Sequence, residues 1–375
     1  MSSFNLAQVI PSLDSGGAER GTVDLANYLA EEQIHNTIIS SGGKMLKEVN
    51  SQFVDHFNLP IDSKNPLFFF QLSKKIEDYV SNKKINLIHV RSRSPAWIIN
   101  MIRNKNFKTI ATFHNVYGGN FALKKLYNKG LAKMDYLIAI SDFVKNQIVD
   151  KYNINPDKIK TIYRGIDTEY FKNDINEADL KALVNKFNYL NDNKIILYPG
   201  RLTNWKGQLE VLLTAKKFSN KKIIICFAGD DKNTSFKKTL DKKIKEMNLQ
   251  ETCKIMGNLN MAELKIMYSI SDIVLSLPQR PEGFGRTISE SLSMKKMLLA
   301  FNYGGAKDQL NNLDEIYKIN PLNYIDLESK ILKILDLKAE AKENLINTGR
   351  EHVKKYFSKT QMVYNYRQFY ESKSL

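Results

Sequence analysis

Short apolar runs alternate with amphipathic stretches along most of this chain. "NLAQVI" reads as a first strand, "PSLDSGGAER" as a loop, and residues 18–32 as a helix offering Val23, Ala26, Tyr28 and Leu29 for packing. "NTIIS" is a second strand; "INLIHV", "FKTIATF", "DYLIAI" and "KIKTIY" follow, with helices near 95–103 and 142–152. Continuously apolar strands alternating with helices predict a parallel sheet covered on both faces. Residues 165–193 break the pattern: they are polar, rich in Asn and Asp, with one helix near 177–187. Then the alternation restarts with "KIILYPG", "KKIIICFAGD", "ETCKIMG", "SDIVLSL" and "MLLAF", and residues 322–375 read as helices only. The expectation is α/β, with two doubly wound domains, residues 1–168 and 190–357, and a linker at 169–189. Ligands of such sheets sit at the carboxyl ends of the strands, so two facing arrays offer one cleft. A single large sheet is the alternative; the polar break and the restart argue against it.

Composition narrows the function. The 375 residues suit two domains, and 43% hydrophobic residues suffice for ordinary cores. No apolar run has the length of a bilayer span, and "MSSFNLAQVI" lacks the basic start and long apolar stretch of a secretory leader. Cys226 and Cys253 have no metal-ligand spacing, and a reduced, cytoplasmic compartment fits them. The net charge is +16, part of which reflects a Lys- and Asn-rich composition. Its distribution says more. Residues 79–134 hold eleven Lys or Arg and no Asp or Glu, which suggests an anionic partner: nucleic acid, a phosphorylated glycolipid or a membrane surface. No nucleic-acid reading module or aromatic ladder is present, so nucleic acid is not expected. Lys124, Lys125, Lys129 and Lys133 fall on an expected helix with Phe121, Leu123, Leu126 and Leu131. That helix either docks on anionic lipid at the inner face of the cell membrane or is solvated with its leucines packed inward.

Candidate chemistry clusters after the apolar strands. Gly16 and Gly17 precede a helix and could bring amides to a phosphate, or form an ordinary strand–helix turn. Their context is neither the dinucleotide fingerprint nor a P-loop, which argues against a nicotinamide oxidoreductase. His114 ends the strand of "TFHNVYGG", and Arg91 and Arg93 in "HVRSRSPAW" either bind an anion or stand solvated. In "YPGRLTNWKG" Arg201 and Lys206 follow a strand end; two fixed cations there suit a diphosphate. "RPEGFGRTISESLSM" poses a puzzle. Gly283, Phe284 and Gly285 open a helix, whose N-terminus attracts anions, yet Glu282 and Glu290 flank them. A sugar joined to a nucleoside diphosphate reconciles the two. Its anionic middle needs amides and cations, while its hydroxyl-bearing ends suit Glu282 for the sugar and Glu290 for the ribose.

With these motifs in this order ("SGGAE", "TFHN", "AISDFVKNQI", "GIDTEYF", "PGRLTNWKG", "FAGDD", "PEGFGRTISESLSM"), the chain resembles the retaining GT-B glycosyltransferases of family four. That group includes lipopolysaccharide-core and phosphoinositol mannosyl transferases, and the likeness covers nearly the whole chain. "HVRSRSPAW" and "IYRGID" look most like a proteobacterial branch making cell-envelope polysaccharide. The resemblance implies that Gly16 and Gly17 face the donor phosphates, that His114 approaches the transferred sugar, and that Arg201 and Lys206 bind the diphosphate. It implies Glu282 on the sugar beside the amides of Gly283, Phe284 and Gly285, Glu290 on the ribose, the nucleobase near "IMGNLN", and a final helix, about 358–375, crossing back onto the first domain. Arg164 departs from the pattern, since many relatives have Asn there.

The expected partners are a nucleoside-diphosphate sugar and a glycolipid or saccharide acceptor. No cofactor or metal is expected, because Arg201, Lys206 and helix amides supply the positive field; Asp230 and Asp231 read as loop residues. The competing reading is a nucleotide-sugar epimerase or hydrolase on the same fold.

Overall fold

The computed structural model describes residues 4–14, 16–63, 65–118, 122–219, 221–229 and 234–374. The chain divides into two units, Met1–Arg164 with Lys359–Leu375, and Gly165–Ser358. In the first unit, β1 (Leu6–Val9) leads to α1 (Gly17–Glu31), β2 (Asn36–Ser40) and β3 (Val54–Asn58). Then come α2 (Pro66–Asn82), β4 (Leu87–Val90), α3 (Arg93–Asn100), β5 (Lys108–Phe113), α4 (Ala122–Asn128), β6 (Tyr136–Ala139), α5 (Asp142–Tyr152) and β7 (Ile159–Thr161). The second unit opens with α6 (Glu177–Lys186), β8 (Lys194–Pro199), α7 (Gln208–Ala215), β9 (Ile223–Ala228), α8 (Thr234–Glu246), β10 (Cys253–Gly257) and α9 (Met261–Ile270). It continues with β11 (Ile273–Ser276), α10 (Arg286–Ser293), β12 (Met297–Phe301), α11 (Gly305–Leu310), β13 (Lys318–Ile319), α12 (Ile325–Leu335) and α13 (Ala339–Tyr356), after which α14 (Lys359–Lys373) belongs to the first unit.

Both sheets are parallel, ordered β3-β2-β1-β4-β5-β6-β7 and β10-β9-β8-β11-β12-β13. In each the order reverses beside the first strand, β1 or β8, and there a doubly wound sheet opens a crevice. The inner strands β1, β2, β4 and β9 are buried along their whole length, which is why they read as unbroken apolar runs.

Two strands were not read from the sequence. β3 is "VDHFN", half exposed at the sheet edge, and β13 is only two residues long. Neither forms an apolar run. The helix expected near 95–103 runs Arg93–Asn100.

The expected linker, 169–189, is part of the second unit, and the division falls after Arg164 rather than after residue 168. Phe171 is the reason. It is buried edge-on to Tyr268 at 6.2 Å, and its carbonyl accepts from Ser293 Oγ at 2.7 Å and Arg350 Nη1 at 3.1 Å. Lys186 on α6 pairs with Glu263 on α9 at 2.6 Å. α14 packs Met362, Val363, Tyr366, Phe369 and Tyr370 into the core that holds Leu6, Leu25, Leu29 and Ile110. Buried His89 fastens it, with Nδ1 at 2.5 Å from the Tyr370 hydroxyl and Nε2 at 2.7 Å from Thr112 Oγ1. Among the described residues, no helix is long and apolar enough to cross a membrane.

Candidate functional site

In the first unit the candidates surround the carboxyl ends of β1, β4 and β5. Gly16 caps α1 at φ +138°, a conformation that favours glycine, and the Glu19 carboxylate folds back over the place where a Cβ would stand. Gly17 and Gly21 lie four apart, on one face of α1. Cβ atoms there would come within 3.2 and 3.1 Å of Arg164 Nη2, so the bare helix surface makes room for that guanidinium. Arg164 Nη1 stands 3.2 Å from His114 Nδ1. The other ring nitrogen, His114 Nε2, is buried and meets no partner among the described residues. Burial, and then the charges of Arg164 and Arg91, hold the His114 pKa well below its ordinary value of 6.5. The imidazole is therefore neutral.

Arg91 and Arg93 are not solvated bases. Arg91 is 2% exposed, holds Gln8 Oε1 through Nε at 3.2 Å and Nη2 at 2.6 Å, and lies 5.1 Å from the Tyr366 ring. Arg93 lies 4.2 Å from the Tyr117 ring and donates to Asn128 Oδ1 at 2.8 Å. The four lysines of the basic stretch do not share a helix. Lys124 and Lys125 are on α4, Lys129 follows it, and Lys133 stands in a short 3-10 turn 4.6 Å from the Trp97 ring. Leu131 is fully buried, whereas Leu126 is 50% exposed. Phe121 and the Leu123 side chain lie outside the described residues.

In the second unit the candidates follow β8 and β11. Gly200, at φ +147°, lets the chain turn tightly against Gly229, and Arg201 emerges exposed. Gly207 caps α7 at φ +84°, where any Cβ would strike the Leu277 carbonyl. Lys206 Nζ stands 4.8 Å from the Trp205 ring and donates to Glu282 Oε1 at 2.6 Å. Its cation and the Glu282 carboxylate therefore form one half-buried pair, 15% and 20% exposed at their side chains. Gly283 and Phe284 are buried, and Gly285 caps α10 at φ +85° with no side-chain cap bond. Glu290 is 6% exposed. Its carboxylate accepts from the Tyr268 hydroxyl at 2.9 Å and pairs with Arg286 Nη2 at 2.9 Å. A carboxylate has about four lone-pair sites, so some capacity remains.

Gln309 was missed by the sequence reading. Buried on α11, its Nε2 donates to the Phe284 carbonyl, while Oε1 accepts from Ser289 Oγ at 2.5 Å. Gly305 N donates to the Glu282 carbonyl at 2.9 Å, and its lack of a Cβ lets α11 press against Gly283. These contacts hold the loop before α10 in place. The signal was available: "AFNYGGAKDQ" is a strand end, a glycine pair and a helix start, the pattern of Gly16-Gly17. Among the described residues no three His, Cys, Asp or Glu gather as a metal site; Asp230 and Asp231 lie outside those residues.

The second unit thus offers an exposed cation, a cation paired with a carboxylate, a glycine-opened helix start and a second carboxylate further along that helix. The first offers a neutral imidazole beside two buried guanidiniums. Residues 15–170 match the profile described as Glycosyltransferase Family 4, and residues 181–352 match Glycosyl transferases group 1. The chain is also 32% identical to a crystallised glycosyltransferase from Rickettsia africae, with a TM-score of 0.88 over 98% of both chains. The chain belongs to the glycosyltransferases. Its two parallel-sheet domains are the GT-B fold. A complex of Anabaena Alr3699/HepE with UDP-glucose shares that fold, with a TM-score of 0.77 over 98% of this chain and all of that one, at 19% identity. The capsular polysaccharide biosynthesis glycosyltransferase CapM of Staphylococcus aureus is 22% identical over 90% of this chain and 89% of its own. The chain spans about half (52%) of an uncharacterized glycosyltransferase from Methanocaldococcus jannaschii that it matches at 26% identity.

Proposed function

We propose that this glycosyltransferase takes a sugar from a nucleoside-diphosphate sugar and attaches it, with retained anomeric configuration, to a hydroxyl of a cell-envelope glycolipid or polysaccharide precursor. The observation that carries the reading is the α10 segment. A helix start capped by a glycine, with no side-chain cap bond, is bracketed by Glu282 and Glu290, with Lys206 bonded to the first of them at 2.6 Å. An anion alone would be repelled by that pair of carboxylates. A ligand with a phosphate middle and hydroxyl ends suits both. The UDP-glucose complex of a protein with the same fold supports this donor class.

In this reading the donor's anomeric carbon gains positive character as the diphosphate leaves. Arg201, Lys206 and the amides of Gly283–Gly285 stabilise the departing charge, which is electrostatic catalysis. Lys206 turns from Glu282 toward the phosphates, freeing a Glu282 oxygen for the sugar hydroxyls. His114, uncharged, meets the sugar without repelling its developing positive charge. The leaving phosphate takes the acceptor's proton, and no protein nucleophile is assigned. The cations do the work that a metal does elsewhere, so transfer should survive excess EDTA.

The acceptor side of the proposal rests on the first unit's surface. α2 opens with Leu67, Phe68 and Phe70 exposed, at 82%, 49% and 63%. Ser94 at the start of α3 bonds Ile61 and Ser63 just ahead of α2, and Trp97 bonds Tyr127 at the end of α4. The apolar start of α2, Leu126, and the exposed Lys124, Lys125 and Lys129 therefore adjoin the same first turns of α3. Apolar side chains beside lysines suit an anionic membrane surface carrying a lipid-linked acceptor.

The test is a thermal-shift screen of nucleotide sugars, followed by detection of a glycosylated product in EDTA. A donor at 100 times its dissociation constant stabilises the fold by about 2.7 kcal/mol. Donor consumption with no glycosylated product would favour the epimerase or hydrolase instead. Rescue of an EDTA-killed reaction by magnesium or manganese would refute the metal-free mechanism.

A further inference from the structure

The sequence alone gave Arg164 no role. We propose that Arg164 is a positioning residue: it locks His114 in one neutral tautomer, with Nδ1 bare and the proton on Nε2, so that His114 serves only as a hydrogen-bond donor. Its use on the transferred sugar rests on the function proposed above; the lock itself does not.

The argument begins with what a guanidinium can do. Arginine has five N–H donors, no acceptor, and does not lose its proton in proteins. Arg164 Nη1 lies 3.2 Å from His114 Nδ1, so Nδ1 must be the acceptor. A neutral ring accepting at Nδ1 carries its hydrogen at Nε2. That Nε2 is buried and has no partner among the described residues. Leaving a buried donor unpaired is costly, and such groups in native proteins call for a functional explanation. Here the donor is at the carboxyl end of β5, where ligands of a doubly wound sheet sit.

The lock is itself held in place. Arg164 is 8% exposed and lies against Gly17 and Gly21, whose missing Cβ atoms would otherwise stand 3.2 and 3.1 Å from its Nη2. The last two glycines of "GGAERG" and the Arg of "IYRGID", far apart in sequence, thus serve one histidine. The titratable groups acting on the ring from its surroundings are Arg164, Arg91 on the β4 end, His89 within β4, and Tyr117 in the following loop. The two arginines disfavour a charged imidazole; His89 is neutral in the core, and burial keeps the Tyr117 phenol protonated.

The experiment is long-range 1H–15N NMR on ligand-free protein labelled at its five histidines, with His114 assigned by its loss in His114→Gln. Wild type should show His114 neutral and protonated only at Nε2 from about pH 5.5 to 8. Arg164→Met removes the donor and one of the charges that lower the midpoint but leaves burial and Arg91, so the midpoint should rise while staying below 6.5, and a second tautomer should appear. Gly21→Ala should move the signal the same way without altering any charge, because it crowds the guanidinium. It also covers the case in which Arg164→Met fails to fold. In transfer assays, Arg164→Met should lose activity selectively in acid, with about fourfold at pH 6 as the ceiling set by an unperturbed midpoint. An Nδ1–H or charged His114 in wild type, or an unmoved midpoint in a natively folded Arg164→Met, overturns the lock. A confirmed lock in a protein that transfers no sugar would instead refute the function while leaving the lock intact.

Discussion

Replacing Glu282 by Gln removes the carboxylate that meets the Lys206 ammonium at 2.6 Å. The structure sets the size of the consequence. Exposed ion pairs contribute about 0–1 kcal/mol, and breaking a fully buried pair costs about 3–5 kcal/mol. At 15% and 20% exposure this pair lies between them, so Glu282→Gln or Lys206→Met should each cost roughly 1–2 kcal/mol. For a domain of this size that lowers Tm by roughly 2–8 °C. Activity should fall much further, by roughly 100-fold in each single variant, because each loses a charged contact strengthened in the transition state. The double variant should lose less than the product of the two, since the partners share one contact and neither is then left unpaired.

The assay is a double-mutant cycle read in two ways: urea unfolding and kcat/KM for transfer. Each unit contains one of the two tryptophans, Trp97 and Trp205, so a Trp97→Phe background makes fluorescence report the second unit alone. Trp205 is also adjacent to the substituted lysine. A stability coupling within roughly 0.3 kcal/mol of zero would refute the pair as a structural unit. Wild-type transfer by a well-folded Glu282→Gln enzyme would sink the assignment of Glu282.

Arg201→Ala should reduce transfer by roughly 100-fold with an unchanged Tm, because the side chain is exposed and its work is electrostatic; a matching loss of stability would contradict this. Glu290→Gln should mainly raise the donor KM, since ribose contacts persist through the reaction, and should also destabilise by roughly 1–3 kcal/mol through the lost Arg286 pair; an effect confined to kcat would refute the ribose role. His89 has a pKa well below 6.5 in the folded protein because it is buried, so the unfolded chain binds its proton more readily, and stability present above pH 6.5 is lost as pH falls. At about pH 5.5 this one residue costs up to roughly 1.4 kcal/mol, readable as a falling urea midpoint that flattens in His89→Gln; an unchanged slope would refute it. Replacing Lys124, Lys125 and Lys129 by Gln should weaken co-sedimentation with anionic vesicles by roughly 100-fold at low salt, at about 1 kcal/mol per base. Phe68→Ser should weaken it further, and equal binding to neutral vesicles would rule the surface out.

The sequence revealed what is apolar and continuous. Strands buried on both faces announce themselves as runs such as "IIICFA", so both sheets and their parallel sense were legible. β3 was not, because an edge strand with one wet face alternates, and "VDHFN" carries three polar residues in five. The linker was misread for a related reason. Residues 165–193 are polar, but the buried Phe171 ring against Tyr268, the Phe171 carbonyl and the Lys186–Glu263 pair fix them to the second unit. Average polarity cannot show where a single ring inserts. Long-range partners were equally hidden: nothing local connects Arg164 with Gly21, or Gln309 with the Phe284 carbonyl.

Those two connections bear on how a glycine after a strand should be read. From the sequence such glycines read either as phosphate amides, one thing a bare helix start supplies well, or as an ordinary strand–helix turn. In this chain Gly16 has the Glu19 carboxylate folded over it, Gly17 and Gly21 seat a guanidinium, and Gly305 lets α11 press against the loop at Gly283. Gly285 caps a helix start at positive φ beside Glu282, which holds Lys206. The common requirement is close approach of backbone to something, and the something differs each time. A cation that needs a flat surface is as demanding as a phosphate that needs amides. The two are told apart by what stands opposite: Lys206 and Glu282 beside one glycine turn, Arg164 and a neutral His114 beside the other. In the mechanism proposed above, the first arrangement exchanges partners when the diphosphate arrives. In the second, the arginine and the glycines beneath it hold one proton on one ring nitrogen, so the first unit offers a fixed hydrogen-bond donor where the second offers movable charge.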